Sequence, residues 1–184
     1  MKQRILFVCS ICLFLFAGFW HTVVAVNSPA VVTASMPVVK IEYALPYPGI
    51  LPDHPLYIVK RLRDYILERV IVEPVRKGEF YILQGDKRLQ MGMTLIDTGK
   101  FSIGESTISK AEKYMEQSVT VLVSYQVTKS MVPTNIADRL KISLSKHEEV
   151  ITAMLTKVPD AQKNGLTESL TRVKQLQEEA KKLR

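Results

Sequence analysis

Gly78, Gly85, Gly92 and Gly99 recur at every seventh residue, and Ile82, Leu89 and Ile96 stand four positions after the first three of them. Seven residues are close to two helical turns, so this spacing lines glycines and large aliphatics along one seam of a single α-helix. Ile71 and Val75 extend the seam upstream. A second segment repeats the scheme, with Gly104, Ala111 and Ser118 each followed four residues later by Ile108, Met115 and Leu122. The spacing predicts helices from Pro74 to Thr98 and from Ser102 to Ser130, folded as an antiparallel hairpin about a turn at 99–101. An interior glycine costs about 0.8–1 kcal/mol against alanine, so three in one helix need compensation. Close approach of the two backbones supplies it; the competing explanation is a soft helix that rearranges on a partner.

Proline sets the remaining punctuation. Six of the nine prolines, Pro29, Pro37, Pro46, Pro48, Pro52 and Pro55, fall between residues 29 and 55, which excludes helix and central strand there. Residues 27–40 read as a flexible tether. Residues 41–51 add Tyr43, Leu45, Tyr47, Ile50 and Leu51, too apolar for a free linker, and predict an extended strap laid on the domain. After Pro55 the period becomes helical, through Leu56, Val59, Leu62, Ile66 and Val70, with Asp53 as the expected cap. Pro74, Pro133 and Pro159 each open a further helical pattern. Two more helices are expected, from Thr134 to Lys157 with Ile136, Leu140, Leu144, Ile151 and Leu155 inward, and from Asp160 to Leu183 with Leu166, Leu170, Val173 and Ala180 inward. Residues 120–127 have β-prone composition, but the seam runs through them and they are read as helix. The expected fold is all-α, a bundle of four to five helices with a Pro/Tyr-rich strap: a domain over 41–158 and a C-terminal helix over 159–184.

Lys2 and Arg4 precede a run without charge from Ile5 to Trp20, and small Ala25 follows with Val23 two residues before it. That order is the pattern of a secretory signal peptide over residues 1–25; since the uncharged run reaches Val26, the alternative is a membrane anchor. Linker then follows at 26–40. Removing residues 1–25 takes both cysteines, Cys9 and Cys12, and two of the 25 basic residues but none of the 18 acidic ones, so the net charge passes from +7 to +5. An exported chain without thiols relies on core packing. Its positive balance suits weak contact with anionic envelope polymers or lipid headgroups, and not nucleic acid.

The sequence offers little chemistry. His54 and His147 are the imidazoles beyond the N-terminal segment, too few and too far apart for a zinc-protease motif, and the periodic glycines do not form a phosphate loop. Neither a catalytic residue nor a cofactor or metal is assigned. His147, beside Glu148 and Glu149, is placed on the solvated flank of its helix. Asp86 and Arg88 flank the seam and are expected to pair with Lys60, Arg63 or Asp64 on the preceding helix as structural glue. A carboxylate-dependent hydrolase working through Asp53, His54 and Asp86 is the enzymatic alternative.

The run Glu42–Asp64, EYALPYPGILPDHPLYIVKRLRD, resembles the opening of the bacterial domain-of-unknown-function family 5667, and QGDKRL at 84–89, KAEKY at 110–114 and the segment 146–163 agree with it. The matching positions include Tyr43, Leu45, Pro46, Tyr57, Lys60, Arg63, Asp64, Asp86, Lys87, Arg88, Leu89 and Tyr114. Gly78 and Gly85 depart from it, since alanine is expected there. The resemblance implies a secreted or membrane-attached helical protein, with a hint of envelope sensing, and supplies no catalytic residue. Together these readings predict an exported, non-enzymatic binding or regulatory module at the bacterial cell envelope, its partner an unknown envelope protein or peptide. Tyr43, Pro46, Tyr47, Pro48 and Tyr57 are the candidate contact residues, because aromatic and proline residues receive or present peptides. A chaperone-like holder of envelope proteins is the alternative.

Overall fold

The computed structural model describes residues 41–128 and 131–183; the expected signal or anchor segment, the expected linker and the expected end of the third helix at Ser130 lie outside them. Five helices follow in order: α1 (Tyr57–Val70), α2 (Pro74–Asp97), α3 (Phe101–Thr128), α4 (Thr134–Leu155) and α5 (Asp160–Ala180). The described residues contain no strand, and the β-prone stretch at 120–127 is helical.

Helices α2 and α3 form the antiparallel hairpin. Gly78 lies against Leu122, Gly85 against Met115 and the Ala111 carbonyl, and Gly92 against Ile108 and the Gly104 carbonyl. A Cβ at Gly92 would stand 2.4 Å from Ile108 Cγ1 and 3.0 Å from the Gly104 oxygen. The glycines therefore sit where the partner helix occupies the space of a side chain, and Ile82, Leu89, Ile108, Met115 and Leu122 fill the intervals with no exposed surface. Ser118 Oγ donates to the Gly78 carbonyl at 3.0 Å, a cross-helix bond that only close backbones permit. Gly99, at φ +78°, adopts the left-handed conformation that ends α2 and turns the chain into α3.

Helices α4 and α5 pack together, α5 on α3 and α4 on α2, completing a four-helix core. Of the residues expected inward, Ile136, Leu140, Leu144, Ile151, Leu166, Val173 and Ala180 are buried, and Leu155 and Leu170 pack partly covered against the core.

Helix α1 lies outside that core. Its only buried residue is Asp64, and the apolar residues whose period defines it, Val59, Leu62, Ile66 and Val70, are 52–68% exposed. The 3.6-residue pattern gives the helix but not the direction its apolar side faces. Asp53 does not cap it: Leu56 is the N-cap, with no side-chain hydrogen bond, and the Asp53 carboxylate pairs instead with Lys100. Here His54 Nδ1 accepts from the Leu56 amide at 3.1 Å and orders the turn into the helix. Glu73 caps α2 by accepting from the amides of Val75 and Arg76, whereas Pro133 and Pro159 stand at the N-cap itself, one position before the first turn.

Residues 41–49 have no regular secondary structure, and bends and turns over 50–56 lead into α1. Ile41, Tyr43 and Leu45 are partly covered while Glu42 and Ala44 are exposed, the alternation of an extended chain lying on a surface. The Ile41 amide donates to Glu149 Oε2 at 2.6 Å, and Lys146 Nζ to the Ile41 carbonyl at 3.3 Å.

Candidate functional site

Three groups of polar residues stand out, and the deepest is a buried cluster at the junction of α2, α3 and α4. Asp86, Glu112, Ser143 and His147 have no exposed surface. Asp86 Oδ1 accepts from Ser143 Oγ at 2.5 Å and meets His147 Nε2 at 3.3 Å, while Oδ2 accepts from the Tyr43 hydroxyl at 2.6 Å. On its other side His147 Nδ1 meets Glu112 Oε1 at 2.8 Å. Burial alone pulls the imidazole pKa down, but the Glu112 charge, with the ring's hydrogen bonds to Asp86 and Glu112, raises it to about 9. Burial pushes the Asp86 carboxyl up, and the imidazolium and the donors from Ser143 and Tyr43 outweigh it, leaving Asp86 below its ordinary value. At neutral pH the ring is thus an imidazolium between two carboxylates, both ring nitrogens donating. Tyr43 is held protonated, its pKa pushed to about 12 by burial and by the bond to Asp86.

This cluster corrects two expectations. His147 is not solvated: it lies three residues after Leu144 and four before Ile151, on the buried stripe of α4, and Glu148 and Glu149 flank that stripe. Asp86 does not reach α1; it follows Gly85, and the close approach of the helices turns it toward α4. The position of His147 in the stripe was the signal available in the sequence. Glu112, next to Ala111 in the seam, offered the same signal. In the arrangement Ser143 donates to Asp86 and not to the imidazole, and all four side chains are sealed from solvent. Glu112 Oε2 lacks a hydrogen-bond partner.

The second group joins α1 to the core. Arg88 is buried; it donates to Gln84 Oε1 at 2.6 Å and to the Tyr114 hydroxyl at 3.3 Å, with its guanidinium 4.1 Å from the Tyr114 ring centroid. Asp64 pairs with Arg63 at 2.7 Å and lies 4.0 Å from Arg88. Tyr81 adds a bond from its hydroxyl to Glu68 Oε1 at 3.0 Å. Of the expected ion-pair residues, then, Arg63, Asp64 and Arg88 come together, while Asp86 and Lys60 are engaged elsewhere.

The third is a groove of about 440 Å³ between segment 41–56 and α1. Tyr47, Pro48, Ile50, Leu56 and Val59 give it apolar walls; Lys60, Arg63 and Lys87 supply its charge, and no carboxylate lines it. Lys60 Nζ donates to the Pro48 carbonyl at 2.7 Å and to that of Ile50 at 3.4 Å, which tethers the segment to the helix. Gly49, at φ +71°, supplies the turn that brings both carbonyls onto the one ammonium. Burial lowers the Lys60 pKa to about 8, opposed by Asp64 and assisted by Arg88, Lys87 and Arg63.

The candidate contact residues divide between roles. Tyr47 is 84% exposed at the groove mouth and Pro48 forms its wall. Pro46 is half-buried beside them. Tyr43 is committed to the buried cluster. Tyr57 is half-buried, with Lys60 Nζ 5.9 Å from its ring centroid, and lines a separate cavity with Arg88 and Tyr114. Asp53 and His54 share an open cavity with Tyr47 and Ile50 that does not include Asp86. Among the described residues no group of three or more His, Cys, Asp or Glu is placed to hold a metal ion, and no helix is long and apolar enough to cross a membrane.

No family model, curated protein or solved structure matches this chain.

Proposed function

We propose that the chain is an exported, non-enzymatic binding or regulatory module of the bacterial cell envelope, related to domain-of-unknown-function family 5667. Residues 41–56 act in this reading as a strap whose outer edge, with α1, receives an extended apolar peptide bearing a carboxylate. The observation that carries it is the groove: apolar walls and three cations with no lining carboxylate suit a ligand that is apolar along its length and anionic at one point. An anion seated beside Lys60 would also relieve the repulsion that Arg88, Lys87 and Arg63 exert on that ammonium.

Support for a binding module over a hydrolase comes from the residues the hydrolase would need. Asp53 is paired with Lys100, His54 Nδ1 is occupied by the Leu56 amide, and Asp86 is sealed among Tyr43, Ser143 and His147. The holder reading looks for an exposed apolar groove; the α2–α3 seam is filled, and the groove beside α1 carries three cations, which suits a defined anionic ligand better than unfolded clients.

The test is calorimetric titration of the full chain with an acetylated hexapeptide of leucine and glutamate. Binding should weaken about tenfold in Lys87→Glu and in Tyr47→Ala, with the melting temperature within a degree or two of the parent in both. Binding indifferent to both substitutions refutes the groove as the receptive site. A fall in stability for Tyr47→Ala with binding intact would leave the strap purely structural.

A further inference from the structure

Helix α1 turns its apolar side away from the protein. Ile58, Leu62 and Ile66 recur at steps of four, and Val59, Tyr65 and Val70 flank them; these six are 52–73% exposed. The charges on the same helix are sorted just as sharply. Both carboxylates face inward, Asp64 buried beside Arg88 and Glu68 accepting from Tyr81. Arg61 and Arg63 are exposed at the two edges of the apolar stripe, Arg63 also paired with Asp64, and Arg69 stands within the stripe at its C-terminal end, its guanidinium 4.5 Å from the centroid of the Tyr65 ring. The exposed side of the helix is thus apolar with arginines as its charged groups, while Asp64 and Glu68 share a cavity with Ile58, Leu62 and Tyr65.

We propose that this face is a membrane-surface contact, with α1 lying in the plane of the headgroup region of an anionic bilayer. The pattern is that of an interfacial helix: a stripe of Ile, Leu and Val enters the acyl boundary, Tyr65 sits at headgroup depth, and the arginines meet lipid phosphates. Charge complementarity decides the occupant. A second copy of this chain would set three arginines of one α1 against three of the other, whereas an anionic leaflet opposes them with negative charge. The stripe is distinct from the groove, sharing with it only Val59 and Arg63 at one margin, and it does not depend on what the groove binds.

The test uses the full chain with a fluorescent reporter on the face itself, so that attachment through any other segment does not mimic it. Trp20, the only tryptophan, is changed to phenylalanine, and Ile66→Trp places an indole on the stripe. Unchanged circular dichroism and melting temperature verify the fold, and Ile58→Trp is the second reporter should Ile66→Trp disturb it. With equimolar phosphatidylglycerol and phosphatidylcholine vesicles carrying brominated acyl chains, emission should shift to the blue and be quenched. Phosphatidylcholine alone should give several-fold less quenching, and Arg61→Gln and Arg69→Gln should each weaken the effect about fivefold. An indole at Ile142, an exposed residue of α4, should stay unquenched. Water-like emission from both stripe reporters on vesicle-bound protein overturns the proposal. So does equal quenching on the two lipid mixtures, or at Ile142. Protection of the indole that grows with protein concentration in the absence of lipid would assign the face to self-association instead.

Discussion

Gly92→Ala puts a single methyl group at the tightest point of the α2–α3 hairpin. At an ordinary helix interior the substitution stabilises, because glycine is about 1 kcal/mol less favourable than alanine. Here the new Cβ would lie 2.4 Å from Ile108 Cγ1, against about 3.5–4.0 Å for carbon atoms in comfortable contact. Ile108 cannot swing aside freely, since a β-branched side chain in a helix has one strongly preferred rotamer. Behind it stands the Gly104 carbonyl, 3.0 Å away, which moves only if α3 moves. Overpacking of this kind costs about 1–3 kcal/mol and exceeds the propensity gain where the backbones must separate. The net loss, up to about 2 kcal/mol, should lower the melting temperature by up to roughly 8 °C. Gly85→Ala is the internal comparison: its Cβ meets Met115 Sδ at 2.6 Å and Cγ at 3.1 Å, atoms of a buried but flexible thioether, and the Ala111 carbonyl only at 3.3 Å. It should cost less than Gly92→Ala. Differential scanning calorimetry of both variants decides the matter, and a rise in melting temperature for Gly92→Ala would refute the close-packing account of the seam.

Four other outcomes follow from the buried and half-buried charges. The His147 pKa is raised from 6.5 to about 9, so its contribution to stability is complete below pH 6.5 and lost as pH climbs through 9. The loss is on the order of 3 kcal/mol, from about 1.4 kcal/mol per pKa unit. Lys60, depressed to about 8, runs in the opposite sense, so the effect is to be read as the difference between wild type and His147→Gln in urea titrations across pH 6–10; a difference independent of pH contradicts the imidazolium assignment. Asp86 sits below its ordinary pKa, hence its contribution is present above the usual carboxylate range and falls away in acid, measurable in the same titrations. Tyr43→Phe removes a donor from the buried Asp86 and should cost about 1–3 kcal/mol in chemical unfolding, where a surface tyrosine would cost almost nothing. If an anion binds beside Lys60, binding at pH 8 must take up protons, detectable as a dependence of calorimetric enthalpy on buffer ionisation; no dependence places the anion elsewhere.

The hairpin was legible in the sequence because its signal is redundant: three glycines at sevens in one helix, a fourth at its end, and a matching small-residue series in the next leave one way to stack them. Helices α4 and α5 were legible for a similar reason, through long apolar stripes between prolines. Helix α1 was legible as a helix but not in orientation, since periodicity states that a stripe exists and is silent about what covers it. The buried cluster was hidden by a prior about polarity. A histidine flanked by two glutamates suggests water, yet register along the stripe from Leu140 through Leu144 to Ile151 places it inside, where Asp86 and Glu112 balance its charge. The groove depends on Gly49 turning the chain so that Lys60 can hold it, a long-range bond that no local pattern encodes.

The proposed function places the receptive surface on segment 41–56 and α1, lightly held against a firm four-helix core. Hydrogen–deuterium exchange of the full chain, with and without the leucine- and glutamate-containing hexapeptide, tests this most directly. Amides of the seam in α2 and α3 should exchange slowest and stay unchanged, while those at 47–60 exchange faster and gain protection with the peptide. Protection of α1 equal to that of α2 in the free protein, or peptide-induced protection confined to α3–α5, would contradict it.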